Sequence, residues 1–301
     1  MKSLLPEVTI GIPFYNAELT LLDAVKSVFA QSHQNWELIL LDDGSTDRSL
    51  ELARSIRDSR VRVYSDGRNC RLAARLNQIA ELASSDYIAR MDADDLISPK
   101  RIERQLEVLI ARPEIDLVST GICSLTGNDE PIGVRGVPDS HVISARALLL
   151  GSSGIVHASL LGKRDWFLRN RYREDIRTGQ DANLWVRAFA KNDLLVGFIE
   201  DPLYYYREDG NVVSKKLINA YGEVMRTIVR DSGSSFSLAD KSYSYILTFL
   251  KIFVVRVLNV FGSLTILRDR RSGAFLGSKD KEKLIEEIQY IKNIDLPTFL
   301  D

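Results

Sequence analysis

The sequence predicts an α/β protein: a mostly parallel sheet flanked by helices, followed by a C-terminal helical extension. Three observations carry that prediction. First, short apolar runs of strand length alternate with segments of helical periodicity from Val8 to Met91. Such alternation implies parallel strands joined by right-handed crossovers. Second, two strand-to-helix junctions end in paired carboxylates, Asp42-Asp43 and Asp92-Ala93-Asp94-Asp95. Third, after about Lys215 strand-like runs give way to long helical segments. We therefore divide the chain into residues 1–215 and a helical extension over residues 216–301, although composition shifts again near residue 235.

The elements follow in order. Val8 to Pro13 is an apolar strand closed by a proline, and Phe14-Tyr15-Asn16 leaves it as a loop. Leu19, Leu22, Val25, Val28 and Phe29 recur at helical spacing. Trp36 to Leu41 is the second strand, and a helix starting near Thr46 carries Leu50, Leu52, Ala53 and Ile56. Val61 to Tyr64 alternates as a third strand, Arg68 to Arg71 is a basic loop, and Leu72 to Ala83 is a third helix. Tyr87 to Met91 is the fourth strand. Ser98 is placed to cap the next helix, with Pro99 in its first turn. Ile115 to Ile122 reads as a strand, Asn128 to Pro131 as a turn, and Pro138 to Leu150 as a loop and helix. Gly154 to Leu161 reads as a strand holding His157, one of three histidines. A helix opens near Gln180 with Asp181 in its first turn, and Leu194 to Ile199 is a strand. Tyr204-Tyr205-Tyr206-Arg207 leads into a polar loop, Glu208 to Asn211. Helices then cover Leu217 to Val229, Tyr243 to Phe261 and Lys279 to Asn293, with a Ser/Gly-rich linker at Asp231 to Ser237 and a basic tail at Arg268, Arg270 and Arg271.

Composition bounds the function. The chain has 301 residues, 45% hydrophobic and 27% charged, which is ordinary for a folded protein with a sizeable core. Lys plus Arg total 40 against 41 Asp plus Glu, so no global basic field argues for nucleic acid. Cys70 and Cys123 have no metal or redox spacing, and a reduced cytosol is the simplest setting. Met1 to Glu7 is too short and polar for a signal peptide. No long run of uncharged apolar residues is present, so no membrane span is expected.

The acidic turns carry the chemistry. Both lie at the carboxyl ends of strands, where open α/β sheets bind ligands. Three carboxylates within four positions repel one another unless a positive group sits among them. Hard oxygen ligands suit Mg²⁺ or Mn²⁺, ions that share their coordination sphere with substrate phosphates.

Taken together, Thr9-Ile10-Gly11-Ile12-Pro13-Phe14-Tyr15-Asn16, Gln31, Asp42-Asp43-Gly44-Ser45-Thr46-Asp47 and Ala89-Arg90-Met91-Asp92-Ala93-Asp94-Asp95 resemble the family 2 glycosyltransferases. The resemblance runs in order over residues 8–115 and returns more weakly at His157, Asp181 and Tyr206-Arg207. It implies the GT-A fold, Rossmann-like and nucleotide-sugar-binding, in residues 1–215. It implies a UDP- or dTDP-linked sugar as donor, a carbohydrate or lipid-linked acceptor, and inversion at the transferred sugar. By the same resemblance, Pro13, Tyr15, Asn16, Asp43, Arg71 and Asp92 contact the nucleotide, and Asp94 is the metal ligand. Asp95 either supports that ligand or caps the next helix. Asp181 is the general base; the Glu that usually precedes it is Gln180 here, which removes one neighbouring negative charge. His157 is either an acceptor-side residue or a satisfied core histidine. Arg207 reaches the diphosphate or belongs to a lid, and Trp185 stacks on a sugar or packs in the core. The Gln-x-x-Arg-Trp signature of processive synthases is absent, which implies one sugar added per encounter.

Two other readings compete. A sugar-phosphate nucleotidyltransferase needs a Gly-rich basic phosphate loop near the N-terminus, and Thr9 to Glu18 offers one glycine and no basic residue. A catalytically silent nucleotide-sugar scaffold would have no use for Asp181. Outside the acidic turns, the segment 243–261 has an apolar arc wider than its own core requires, with Ser244, Thr248, Lys251, Arg256 and Asn259 on one side. It is expected to meet a membrane face, a second copy of the chain, or the catalytic unit itself.

Overall fold

The computed structural model describes residues 5–208, 214–260 and 277–298. The remainder of the polar loop expected after Glu208, Phe261 and the basic run Arg268 to Arg271 lie outside the described residues. Strand β1 (Val8–Phe14) sits centrally, paired in parallel with β2 (Trp36–Asp42) on one side and β4 (Tyr87–Arg90) on the other. β3 (Val61–Tyr64) extends the parallel set beyond β2. Every residue of β1 and β2 is buried, as continuous apolar strands covered on both faces must be. Helices α1 (Leu21–Phe29), α2 (Ser49–Ser55) and α3 (Arg71–Leu82) make the crossovers.

Beyond β4 the sheet becomes mixed. Its order is β3-β2-β1-β4-β8-β6-β9-β5, with β5 (Leu96–Ile97), β6 (Leu117–Leu125), β8 (Leu161–Lys163) and β9 (Val196–Arg207). β8 runs antiparallel to β4 and β6. β7 (Pro131–Arg135) forms a hairpin on β6 after the turn at Asn128.

Several sequence expectations shift here. The second helix starts at Ser49 rather than near Thr46, because Ser45 to Arg48 are used in bonds to the first loop. The run Gly154 to Leu161 is not one strand: His157–Ser159 is a 3-10 turn and only Leu161 onward pairs. There, the Ser159 hydroxyl and carbonyl bond Thr120 and Gln105 instead of a neighbouring strand. β9 does not stop at Ile199. It continues through the three tyrosines to Arg207, with its register shifted near Gly121. That shift needs glycine, because a Cβ on Gly121 would lie 2.2 Å from the Glu200 carbonyl oxygen.

Helix α4 (Arg101–Ala111) follows β5, and Ser98 is not its side-chain cap. The Ile102 amide instead donates to Gln31 Oε1 at 3.2 Å, while the same Gln31 amide group donates to the Ser27 and Ser98 carbonyls, each at 2.9 Å. α4 then buries Arg101 and Gln105. Arg101 donates to the Arg90 and Leu160 carbonyls, and Gln105 donates to Val118 and Ser159. These bonds satisfy carbonyls at the changeover from parallel to antiparallel pairing, where the ladder is interrupted. Burial pushes the Arg101 guanidinium down to about 10.

Helix α5 spans Ala145–Leu149, α6 Arg164–Arg169 and α7 Gln180–Ala190. After them come α8 (Ser214–Arg230), α9 (Leu238–Val260) and α10 (Ser278–Lys292). The stretch Leu238–Asn259 is long and apolar enough to cross a membrane by length and composition, with a mean hydropathy of 1.2. α10 returns to the sheet: Ile288 and Ile291 join Ala30, Leu96, Cys123, Leu125 and Tyr205 in one apolar cluster.

Replacing Gly121 by Ala is expected to destabilise the protein by about 1–3 kcal/mol, the usual cost of forcing an extra methyl into a filled interior. Urea unfolding measures it. A change below about 0.5 kcal/mol, the level of a neutral surface substitution, would show that the β6–β9 approach is not as tight as described.

Candidate functional site

A cleft of about 430 Å³ opens at the carboxyl ends of β1 and β4. Pro13, Tyr15 and Asn16 from the first junction line it together with Asp92 and Asp94 from the fourth. Of the six residues expected to contact the nucleotide, Pro13, Tyr15, Asn16 and Asp92 line the cleft, and Asp43 and Arg71 do not. The Tyr15 ring is half exposed there, free to present a flat apolar face.

The first and second junctions are laced together. Asn16 adopts φ 49°, a left-handed conformation Asn tolerates. Its amide donates to Ser45 Oγ at 3.1 Å, and its side-chain oxygen accepts from the Thr46 amide at 2.8 Å. The Glu18 amide donates to Asp47, and the Arg48 amide donates to Glu18. Asp42 accepts from the Ser45 amide and the Ser65 hydroxyl, which shapes the turn. Gly44 stands at φ 78°, and a Cβ there would meet the Arg68 backbone at 2.8 Å.

Asp43 is buried and accepts from the Cys70 amide at 2.7 Å, the Arg71 amide and Arg75 Nε at 2.9 Å. It thus fixes the start of α3. Arg75 in turn bonds Asp66 and the Arg68 carbonyl. Arg71 itself has φ 71°, and its side chain is exposed outside the residues lining the cleft. Arg75 was invisible in the sequence reading, although a charged residue one position before Leu76 on an otherwise apolar helical face was a signal for it.

The acidic turn has a division of labour. Asp95 is 1% exposed and accepts from the Tyr204 hydroxyl at 2.8 Å and the Arg207 amide at 2.8 Å. It does not cap α4. Asp92 accepts from Arg90 Nη2 at 2.6 Å, and the Asp92 amide donates to the Tyr204 hydroxyl at 3.1 Å. Asp94 is exposed at the mouth. One carboxylate oxygen from each of the three lies within 4.8 Å of the others. Although Asp94 reaches solvent, partial desolvation inside the cleft, then the Asp92 charge, raises its carboxyl above the usual range. Burial, then the charges of Asp92 and Asp94, raises Asp95 well above it. The donor set is all carboxylate oxygen, and its mutual repulsion is what a hard divalent cation relieves, so the residues present fit Mg²⁺ or Mn²⁺.

Arg90 was also missed. It is 4% exposed, and its Nε and Nη1 have no hydrogen-bond partner. The charges of Asp92 and Asp181 both act on this guanidinium. Its place at the end of the strand, two residues before Asp92, was the legible sign. Asp181 is half-buried, two residues beyond the left-handed Gly179 that precedes α7. The neighbouring Gln180 Oε1 is buried without a partner.

His157 is held by the Tyr172 hydroxyl at 2.7 Å and lies edge-on to Trp185, with ring centroids 5.9 Å apart. Burial and the Arg90 charge hold its imidazole well below the usual range, so it is neutral. Trp185 is 3% exposed and belongs to the core. Arg207 is not among the residues that line the cleft. It is buried, forked onto Asp129, and donates to the Asp94 carbonyl at 3.0 Å.

Comparison with known proteins agrees with this geometry. A family model described as glycosyl transferase family 2 matches residues 9–168. The putative glycosyltransferase EpsE of Bacillus subtilis (strain 168) is 32% identical over 218 residues, covering 70% of this chain and 76% of its own length. The structure of S. aureus TarS 1-349 in complex with UDP-GlcNAc aligns with a TM-score of 0.59 at 15% identity, over 81% of this chain and 71% of that one. The mannosyltransferase PcManGT from Pyrobaculum calidifontis, in complex with GDP-Man and Mn²⁺, aligns with a TM-score of 0.57 at 16% identity, over 95% of this chain and 85% of that one. At such identities the structural likeness speaks for the fold, and that fold is GT-A. With more than half the chain matched by the family model and a relative of this identity aligned over most of its length, the chain belongs to glycosyl transferase family 2.

Proposed function

We propose that the protein transfers a sugar from a nucleotide-diphosphate donor to an acceptor hydroxyl, with inversion at the anomeric carbon, in assembly of a cell-surface polysaccharide or glycolipid. The observation that carries this reading is the single cleft joining the loop after β1 to Asp92 and Asp94. It has room for a nucleotide sugar, and it offers an apolar ring at one end and carboxylates at the other. Neighbours of the same fold hold UDP-GlcNAc, or GDP-Man with Mn²⁺, and a UDP- or dTDP-linked donor suits this cleft.

In this reading Pro13 and Tyr15 flank the base, and Asn16 and Asp43 hold the two loops that frame it. Arg71 closes the base side from the rim. Arg90 aims the Asp92 carboxylate at the ribose. Asp94, with Asp92 beside it, would hold Mg²⁺ or Mn²⁺, and Asp95 fixes the turn from behind. When bound, the ion supplies neutralisation of the departing diphosphate. Asp181 accepts the proton of the acceptor hydroxyl as its oxygen bonds the anomeric carbon and the bond to the diphosphate breaks. In-line displacement of that kind inverts the centre. The carbohydrate or lipid-linked acceptor approaches from the α7 side, beside His157 and Gln180.

Replacing Asp94 by Ala is expected to cut transfer by at least about 100-fold, the scale of lost electrostatic stabilisation, and to remove the Mn²⁺ dependence of UDP binding in calorimetry. Full turnover of the wild type in excess chelator would refute the metal assignment.

Asp181→Asn should lose about 100- to 10,000-fold in turnover, the usual contribution of a general base, while donor affinity stays within a few-fold. Turnover close to wild type would move the base elsewhere. Proton NMR of the first-formed product gives the anomeric configuration, and a retained centre contradicts direct displacement assisted by Asp181.

A further inference from the structure

The polarity of α9 is reversed relative to a helix of a water-soluble domain. The side packed on α5 and α8 takes in small polar residues: Ser244 is 0% exposed and Thr248 1%, beside Val255 at 2%. Ser244 Oγ is buried without a hydrogen-bond partner. Lys251 also turns inward, its ammonium 3.5 Å from the Leu150 carbonyl oxygen and 5.8 Å from the Tyr221 ring centroid. The side facing away from the protein is apolar. Phe253 is 61% exposed, Ile246 60% and Phe249 58%, with Leu250, Val254 and Val257 among them. Nine of the seventeen exposed large apolar side chains among the described residues lie on this one helix. Water cannot favour that arrangement; a hydrocarbon boundary can, since polar groups in lipid turn toward protein.

The edges of the face say what covers it. Tyr243 and Tyr245 stand at its two margins, half exposed. The Arg146 guanidinium lies 4.8 Å from the Tyr243 ring centroid, Arg256 is exposed beside Tyr245's margin, and Lys241 lines a cavity of about 460 Å³ with Val229 and Ile246. The helix carries a single acid, Asp240, already bonded by Arg146 and Ser237. In a two-fold contact with a second copy the same patch meets itself, so this rim would set cation against cation. An anionic surface has no such conflict. Amphipathic tyrosines and cations flanking an apolar centre fit the headgroup level of a bilayer.

We propose that α9 lies in the surface of an anionic membrane, apolar face down, with the catalytic unit carried above it. The helix lies rather than spans. Its polar side is fastened along its length to α5 and α8, whose Arg146, Arg226 and Arg230 would otherwise enter hydrocarbon. The proposal is independent of which donor or acceptor the cleft takes.

Flotation of the full-length protein tests it. Wild type should rise with vesicles of phosphatidylcholine containing phosphatidylglycerol at low salt. It should bind pure phosphatidylcholine less, and lose binding as salt screens the cationic rim. The double variant Phe249→Glu/Phe253→Glu should bind at least about tenfold less, given the apolar area it removes from the boundary. Its circular dichroism and UDP affinity should stay those of wild type, because both side chains point away from the protein. Wild type remaining unbound at low salt overturns the proposal. So does equal flotation of the variant, and so does a stable dimer in sedimentation that the same two substitutions dissociate, which would assign the face to a second copy.

Discussion

One buried carboxylate organises the cleft. Asp95 is tied on one oxygen to the Tyr204 hydroxyl and on the other to the Arg207 amide, and the Tyr204 hydroxyl also receives the Asp92 amide. A carboxyl group taken out of water needs such bonds to remain in the fold. Their effect is to fasten the end of β4 to the far end of β9, so that the two other acids of the turn project into the cleft without pairing fully to protein. Everything needed for Tyr204 to stand there follows from this demand: the length of β9, its shifted register beside Gly121, and its short antiparallel bond to β5.

The charges around that turn are graded rather than cancelled. Arg90 meets Asp92 through one nitrogen and leaves two unpaired. The Arg207 guanidinium is spent on Asp129 and Asp23 and touches the turn only through the Asp94 carbonyl. Asp92 and Asp94 are therefore only partly neutralised by protein cations. Neutralising the acids outright with surface arginines would have stabilised the empty protein and left nothing for a ligand to relieve.

The first half of the fold was legible in the sequence because there the local and global signals coincide. Continuous apolar strands, helical repeats and acid pairs at strand ends fall at spacings that admit one parallel arrangement, and β1 to β4 appear within a residue or two of expectation. The second half was legible only in pieces. Nothing local to Gly154–Leu161 announces that Ser159 will bond Thr120 and Gln105, and nothing in Tyr204-Tyr205-Tyr206 distinguishes a strand from a loop until β6 and β5 are in place beside it. The site residues divide the same way. Asp92 and Asp94 could be named from a pattern, whereas Arg75 matters through contacts with the Asp43 turn and the Asp66–Arg68 loop that its own helix does not announce. For α9, periodicity gave the width of the apolar arc but not its direction, since polarity alone would have turned Ser244 and Thr248 to solvent.

The return of α10 to the sheet has a consequence for how the protein is made. Lys292 pairs with Asp129, the partner of Arg207, and also lies near Asp23; Tyr205 bonds Glu287. The strand end that holds the acidic turn is thus buttressed by a helix nearly two hundred residues downstream. At 5–20 residues per second, about 10–40 s separate synthesis of the turn from synthesis of its last support. A nascent chain therefore carries its nucleotide loops early and its completed cleft late, and during that interval the edge of β9 and the apolar cluster around Leu96 and Cys123 stand uncovered, a natural point of engagement for a chaperone.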